Sequence, residues 1–218
     1  MKKRQFILMG DVVSSETYNQ KKLQNKFADI IALLNNKHKK KILSPLTITL
    51  GDEFQGIVKD LNSGTEIILD AQRTCIHEGI DFKIRFVLNS GIIETPINRE
   101  VAYGMLGRGL SDTREKIETL KKQQVRFMIS TGDSKTDAAF SNAFVLYQSI
   151  IDQWNSSTDL LLTSQFIRYK DYKIVAKKLN HTASMTWKRE KSLLIKEFFA
   201  IEKLINFIAQ CHKPTGYI

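Results

Sequence analysis

The chain has 218 residues, 42% of them hydrophobic and 26% charged, which excludes a disordered or fibrous polymer and leaves material for one large domain or a medium domain with an appendage. Its formal charge of +10 points toward a polyanionic partner, and residues 156–218 are the more basic part for their length, with 11 Lys and Arg against 5 Asp and Glu. The longest apolar runs, IIALL and LLL, fall far short of a membrane span, and Cys75 and Cys211 make neither a metal-ligand spacing nor a disulfide framework, so no membrane partner is expected and a reducing cytoplasm fits.

MKKRQFILMG begins like a signal peptide, but its apolar run is short and Asp11 ends it, so it reads as a strand. The unbroken run Phe6 to Met9 is that of a central strand buried on both faces. A helix is expected directly after Ser14 and Ser15, with Leu23, Phe27, Ile30, Ile31 and Leu34 in one apolar stripe. NNKHKKK is a basic loop. LTITL and EFQGIV then form a hairpin, with Gly51-Asp52 as a two-residue connection. A helix over Gly64 to His77 leads to a strand in which Phe82, Ile84, Phe86 and Leu88 alternate with polar or opposite-face residues. After an irregular stretch with turn signals at Pro96 and Asn98 come a polar helix (Ser111 to Lys122), a strand (VRFMIS) and a helix from Ser141 to Trp154. NSSTD, residues 155–159, is the one clear boundary. The order βαββαβ, with two helices crossing between strands, is that of a ferredoxin-like palm.

On such a palm Asp11, ending strand one, and Asp52, at the hairpin tip, lie on neighbouring strands. They can either share a hard cation, Mg²⁺ or Mn²⁺, or serve as a helix cap and a turn residue. Gly10 and the segment Val12 to Ser15 would admit and attract a phosphate at a helix N-terminus. GDVVSS followed by TLGDEFQGIV resembles the SatD family of bacterial proteins. More distantly, it is similar to the palms of class III nucleotide cyclases and GGDEF-type diguanylate cyclases. That resemblance implies Asp11 and Asp52 as metal ligands with the Val12 carbonyl beside them. It also implies Gly10, Ser14, Ser15 and Gly51 around a nucleotide, and Arg114 in the place of a cyclase's transition-state arginine. The chain departs from the cyclase pattern at Leu50, at Leu110 (where the asparagine would stand) and in lacking a base-recognition lysine before Gly51.

DYKIVAKKLNHTASMTWKREKSLLIKEF reads as a helix-turn-helix. Ala176 is the small residue at the crossing, Asn180 takes the left-handed turn position, and Thr182 caps the second helix. Val175, Leu179, Met185 and Ile174 form a small core. Ser184, Trp187, Lys188, Arg189 and Lys191 would face duplex DNA, although an amphipathic pair with a solvated basic face gives a similar pattern. Phe198, Ile201, Ile205 and Ile208 are expected to pack on the palm or on a second subunit.

The expectation is therefore an α/β (α+β) chain, a ferredoxin-like, nucleotide-cyclase-like palm over residues 1–154 followed by a helix-turn-helix domain over 155–218. It would be a cytoplasmic, homodimeric regulator that binds DNA and whose palm holds a nucleotide or metal, or only dimerises. The alternative is a metal-dependent nucleotidyl cyclase or transferase regulated by its C-terminal part.

Overall fold

The structure, a computed structural model, describes residues 4–154 and 157–212. Its strands are β1 (Arg4–Val12), β2 (Ile42–Ile48), β3 (Glu53–Val58), β4 (Ile84–Ile92) and β5 (Phe127–Ser130). They form one sheet in the order β2-β3-β1-β4-β5. β1 runs antiparallel to both β3 and β4, β2 antiparallel to β3, and β5 parallel to β4. With helices α1 (Gln20–Lys37) and α2 (Leu61–His77) connecting them, the first four strands have the expected split βαβ arrangement.

The continuous apolar run of β1 has its reason in this central place. Leu8 and Val12 enter one hydrophobic cluster, with Phe54, Phe86 and the stripe of α1. Ile7 and Met9 enter a second on the opposite face, with Val87 and with Ile117 and Leu120 of α3 (Arg108–Gln123). β2 is an edge strand, which tolerates Pro45 and two register shifts.

Local chemistry moved several expected boundaries. The hairpin connection is longer than two residues, because the Thr49 N–H bonds the Glu53 carbonyl and Gly51, at φ 83°, lies in the loop between them. No α-helix follows Ser15 directly. A single 3-10 turn spans Ser15–Thr17, and α1 starts only at Gln20, where the Asn19 side chain accepts from the Lys22 N–H. Asp60 and Asp133 likewise cap α2 and α4 (Ser134–Ile151), so both helices begin earlier than their apolar periodicity indicated.

Four further helices follow: α5 (Ser157–Tyr169), which the sequence reading did not anticipate, α6 (Tyr172–Leu179), α7 (Ala183–Ser192) and α8 (Ile195–Cys211). Of the expected boundary segment, Asn155 and Ser156 lie outside the described residues, as do Lys2 and Lys3 of the basic N-terminus. Phe166, Val175, Phe198, Ile201 and Ile205 join the same cluster as Leu8 and Phe86, and Ile208 packs against it. The apolar face of α8 thus rests on the palm's helices. Trp154 ties the junction by donating its indole N–H to the Leu193 carbonyl at 3.0 Å, and its ring stands 5.0 Å from that of Phe198. Across the same junction Arg73 of α2 makes a two-pronged pair with buried Glu202 of α8, at 3.0 and 2.6 Å. Among the described residues no helix is long and apolar enough to cross a membrane.

Candidate functional site

Directly opposed residues on neighbouring strands share a face, and β1 places Asp11 opposite Glu53 of β3 and Arg85 of β4. That face is the one α3 covers. On α3, residues 114, 117 and 121 fall on one stripe, so anchoring Ile117 in the second cluster also aims Arg114 and Lys121 at the carboxylates. The Arg85 guanidinium donates to Asp11 Oδ2 at 2.9 Å. The Lys121 ammonium stands 3.5 Å from the same oxygen, 3.6 Å from Glu53 Oε1 and 2.8 Å from Glu118 Oε1.

Asp11 is only 3% exposed, and its Oδ1 is buried without a hydrogen-bond partner among the described residues. Burial raises its pKa above the ordinary aspartate value, against the opposing pull of Arg85 and Lys121. Burial works against the charge of Lys121 too, but its hydrogen bond to Glu118 and the charges of Asp11 and Glu53 outweigh it, and its pKa lies above the usual lysine value.

Asp52 has other partners. Its Oδ2 accepts the Ser15 hydroxyl at 2.5 Å, and its carbonyl accepts the Val12 N–H at 2.9 Å. Among the described residues no group of three or more His, Cys, Asp or Glu is arranged to hold a metal ion. The two carboxylates expected to share Mg²⁺ or Mn²⁺ are each engaged by other groups. One Asp11 oxygen already faces two cations, the other is sealed from solvent, and Asp52 is held by the loop after β1.

The expected phosphate cradle also has local employment. A Cβ on Gly10 would lie 2.5 Å from the Phe54 ring and 2.6 Å from the Arg85 carbonyl, so close packing accounts for this glycine. Ser14 adopts a left-handed conformation, and its carbonyl receives the Thr17 hydroxyl. The Ser15 carbonyl receives the Gln20 amide, and Val12 lies within the ladder opposite Ile84. Gly51 meets the turn's positive φ beside the Gln24 side chain. Arg114 lines a groove of about 590 Å³ with Thr49, Gln55, Leu110 and the exposed Tyr103 and Leu106. Arg85 and Lys121, which complete the charged cluster, were not singled out from the sequence. The alternation of β4 could have placed Arg85 on the face of Asp11, whereas no local signal marked Lys121.

The α6–α7 pair has the expected turn. Asn180 sits at φ 54°, and the His181 N–H closes α6 on the Ala176 carbonyl at 2.9 Å. The Thr182 hydroxyl accepts the Met185 N–H at 3.2 Å. Val175 and Ala176 are buried, and Leu179 packs against the main cluster. Met185 and Ile174, expected in that core, are instead 43% and 45% exposed. On α7 it is Thr186 that is fully buried, its hydroxyl satisfied by the Thr182 carbonyl. Ser184, Trp187, Lys188 and Lys191 are exposed, with the Lys191 ammonium 3.8 Å from the centre of the Trp187 ring. The guanidinium of Arg189, also expected to face DNA, is engaged by Asp159 of α5.

The profile of the SatD family matches residues 6–206. Two solved structures of a bacterial light-regulated adenylyl cyclase are similar at 13% and 11% identity, with TM-scores of 0.46 and 0.47. Each match covers 61% of this chain and 44% of the cyclase chain, so less than half of either cyclase is represented. The guanylyl cyclase Cya2 is similar at 14% identity and a TM-score of 0.35, over 59% of this chain and 77% of that one. No curated protein matches the sequence.

Proposed function

The chain belongs to the SatD family, and from that premise we propose that it is a regulatory protein that binds duplex DNA through α6 and α7. The observation that carries this reading is the turn itself. A buried Ala176, a left-handed Asn180 and a Thr182 cap together fix two short helices and leave Ser184, Trp187, Lys188 and Lys191 outward on the second. Hydroxyls and cations on an exposed helix suit phosphates and base edges. Lys191, resting on Trp187, would reach the backbone in a fixed orientation.

In this reading the palm is regulatory. The groove beside α3 has the volume of a small-molecule site, with Arg114 as an anion partner and the Tyr103 ring as a stacking surface for a nucleotide base. Leu50, Tyr103 and Leu106, all exposed at its rim, support the pairing of two palms, which would present two recognition helices to two half-sites. A cyclase is the lesser reading. Arg114 reaches the cleft that holds Asp11, but Leu110 stands where an asparagine would assist it. Assay of cyclic nucleotide after incubation with ATP or GTP and Mn²⁺ separates the two.

The DNA reading is tested by fluorescence anisotropy of labelled duplex across a salt series. Each phosphate neutralised contributes a slope of about −0.9 in log affinity against log salt. Lys191→Ala should flatten that slope by about one unit. Arg189→Ala should change it little, because Asp159 already engages that charge. Lys39→Ala with Lys40→Ala, in the distant basic loop, is the control. Loss of binding in the loop variant with retention in Lys191→Ala would reject the proposal.

A further inference from the structure

Two carboxylates placed directly opposite on adjacent strands repel, and a low-dielectric setting strengthens that repulsion. Asp11 and Glu53 are such a pair, on the central ladder of the sheet, with Asp11 almost wholly buried. A fold that keeps them must supply positive charge. Palms with paired carboxylates can take it from a divalent ion, but here cations of the chain itself engage the pair. Positive charge comes instead from two separate elements, Arg85 on β4 and Lys121 on α3. Two unit charges equal the charge of one divalent ion.

The position of Lys121 is set by packing, not by a flexible reach alone. A Cβ on Gly91 would lie 2.5 Å from the Gly109 Cα, so α3 lies against β4 closer than any side chain would allow. Asn89, buried in β4, donates to the Thr113 hydroxyl of α3 at 3.0 Å, and Ile117 and Leu120 fill the second cluster. These contacts fix the last turn of α3 over Asp11. Glu118, one turn back, holds the ammonium from its other side.

We infer that Lys121 is the resident cation of the palm: its ammonium occupies the place of a divalent ion between Asp11 and Glu53, and a divalent-cation site opens only when that ammonium is removed. The inference is independent of the DNA-binding proposal, since it concerns the opposite part of the chain. It has a consequence for any polyphosphate ligand of the neighbouring groove. Such a ligand would meet Arg114, which lines that groove, without an accompanying metal.

The test uses the full chain, with Mg²⁺ or Mn²⁺ alone as the probe. Wild type should show no change in melting temperature and should leave the electron paramagnetic resonance signal of free Mn²⁺ undiminished. Lys121→Gln should bind about one Mn²⁺ and gain roughly 3–6 °C at a concentration ten times its Kd. Adding Asp11→Asn to it should abolish both effects, and Lys121→Arg, which keeps the charge, should behave as wild type. If Lys121→Gln folds only when Mn²⁺ or Mg²⁺ is present, the inference is equally supported. Mn²⁺ binding by the wild type that Asp11→Asn removes would overturn it. A folded Lys121→Gln that binds no Mn²⁺ would overturn it as well.

Discussion

Replacing Arg73 by methionine removes, among the described residues, the only guanidinium hydrogen-bonded to Glu202, while the methionine keeps most of the packing of the arginine stem. Arg73 is itself partly exposed, so the attraction between the two charges is screened. The cost comes from Glu202, which is 2% exposed and whose pKa burial already raises despite the partner. Left alone, the carboxylate folds either charged and unpaired or protonated, and the cheaper course sets the loss. Protonating an ordinary glutamate at pH 7 costs about 3.7 kcal/mol, which is the ceiling for the Glu202 part of the electrostatic loss and close to the ~3–5 kcal/mol typical of a broken buried pair. The weaker Arg73–Asp70 pair at 3.6 Å adds little, because it is partly exposed. For a chain of this size that is roughly 7–15 °C in melting temperature.

The sign follows from the proton count. In the variant the folded pKa of Glu202 lies further above the unfolded one, so ionisation opposes folding and the penalty shrinks on acidification, to about 1 kcal/mol at pH 5. Urea unfolding of wild type and Arg73→Met at pH 7 and pH 5 measures both values. Glu202→Gln in the Arg73→Met background should recover most of the loss at pH 7, because an amide needs no counter-charge. A loss below about 1 kcal/mol at pH 7, a loss that does not shrink at pH 5, or no recovery in the double variant would refute the reasoning.

Two other outcomes follow from the same structure. Burial lowers the pKa of His38 below the ordinary histidine value, against the pull of Asp70, 2.7 Å away. The unfolded chain therefore binds more protons there, and stability should fall as pH drops through about 6.5 toward the folded pKa. His38→Gln should flatten that part of the urea-midpoint profile between pH 7.5 and 5.5, and parallel profiles would refute the assignment. At the left-handed turn, Asn180→Gly should leave the unfolding free energy, read by urea titration, within about a few tenths of a kcal/mol of wild type, whereas Asn180→Val should cost about 1–2 kcal/mol and weaken DNA binding with it.

What the sequence by itself determined is what repeats along the chain. The unbroken run of β1, the five-residue stripe of α1 and the alternation of β4 each state a period and a number of buried faces, and the structure has them as read. The turn at Asn180 was legible for a related reason, because a left-handed residue and a cap act on their own backbone and the small Ala176 stands at a fixed offset from them. Helix starts at Asp60 and Asp133 were present as capping residues too, but apolar periodicity alone placed those starts too late. Which charges meet was decided only in three dimensions. Arg73 finds Glu202 across 129 residues, Arg189 is taken by Asp159 of a helix the pattern did not disclose, and Lys121 comes to lie between Asp11 and Glu53. A charged side chain carries no period that names its partner. Its partner follows from where packing sets the whole helix, and for Lys121 that was settled by two glycines, Gly91 and Gly109, whose missing side chains let α3 lie close against β4.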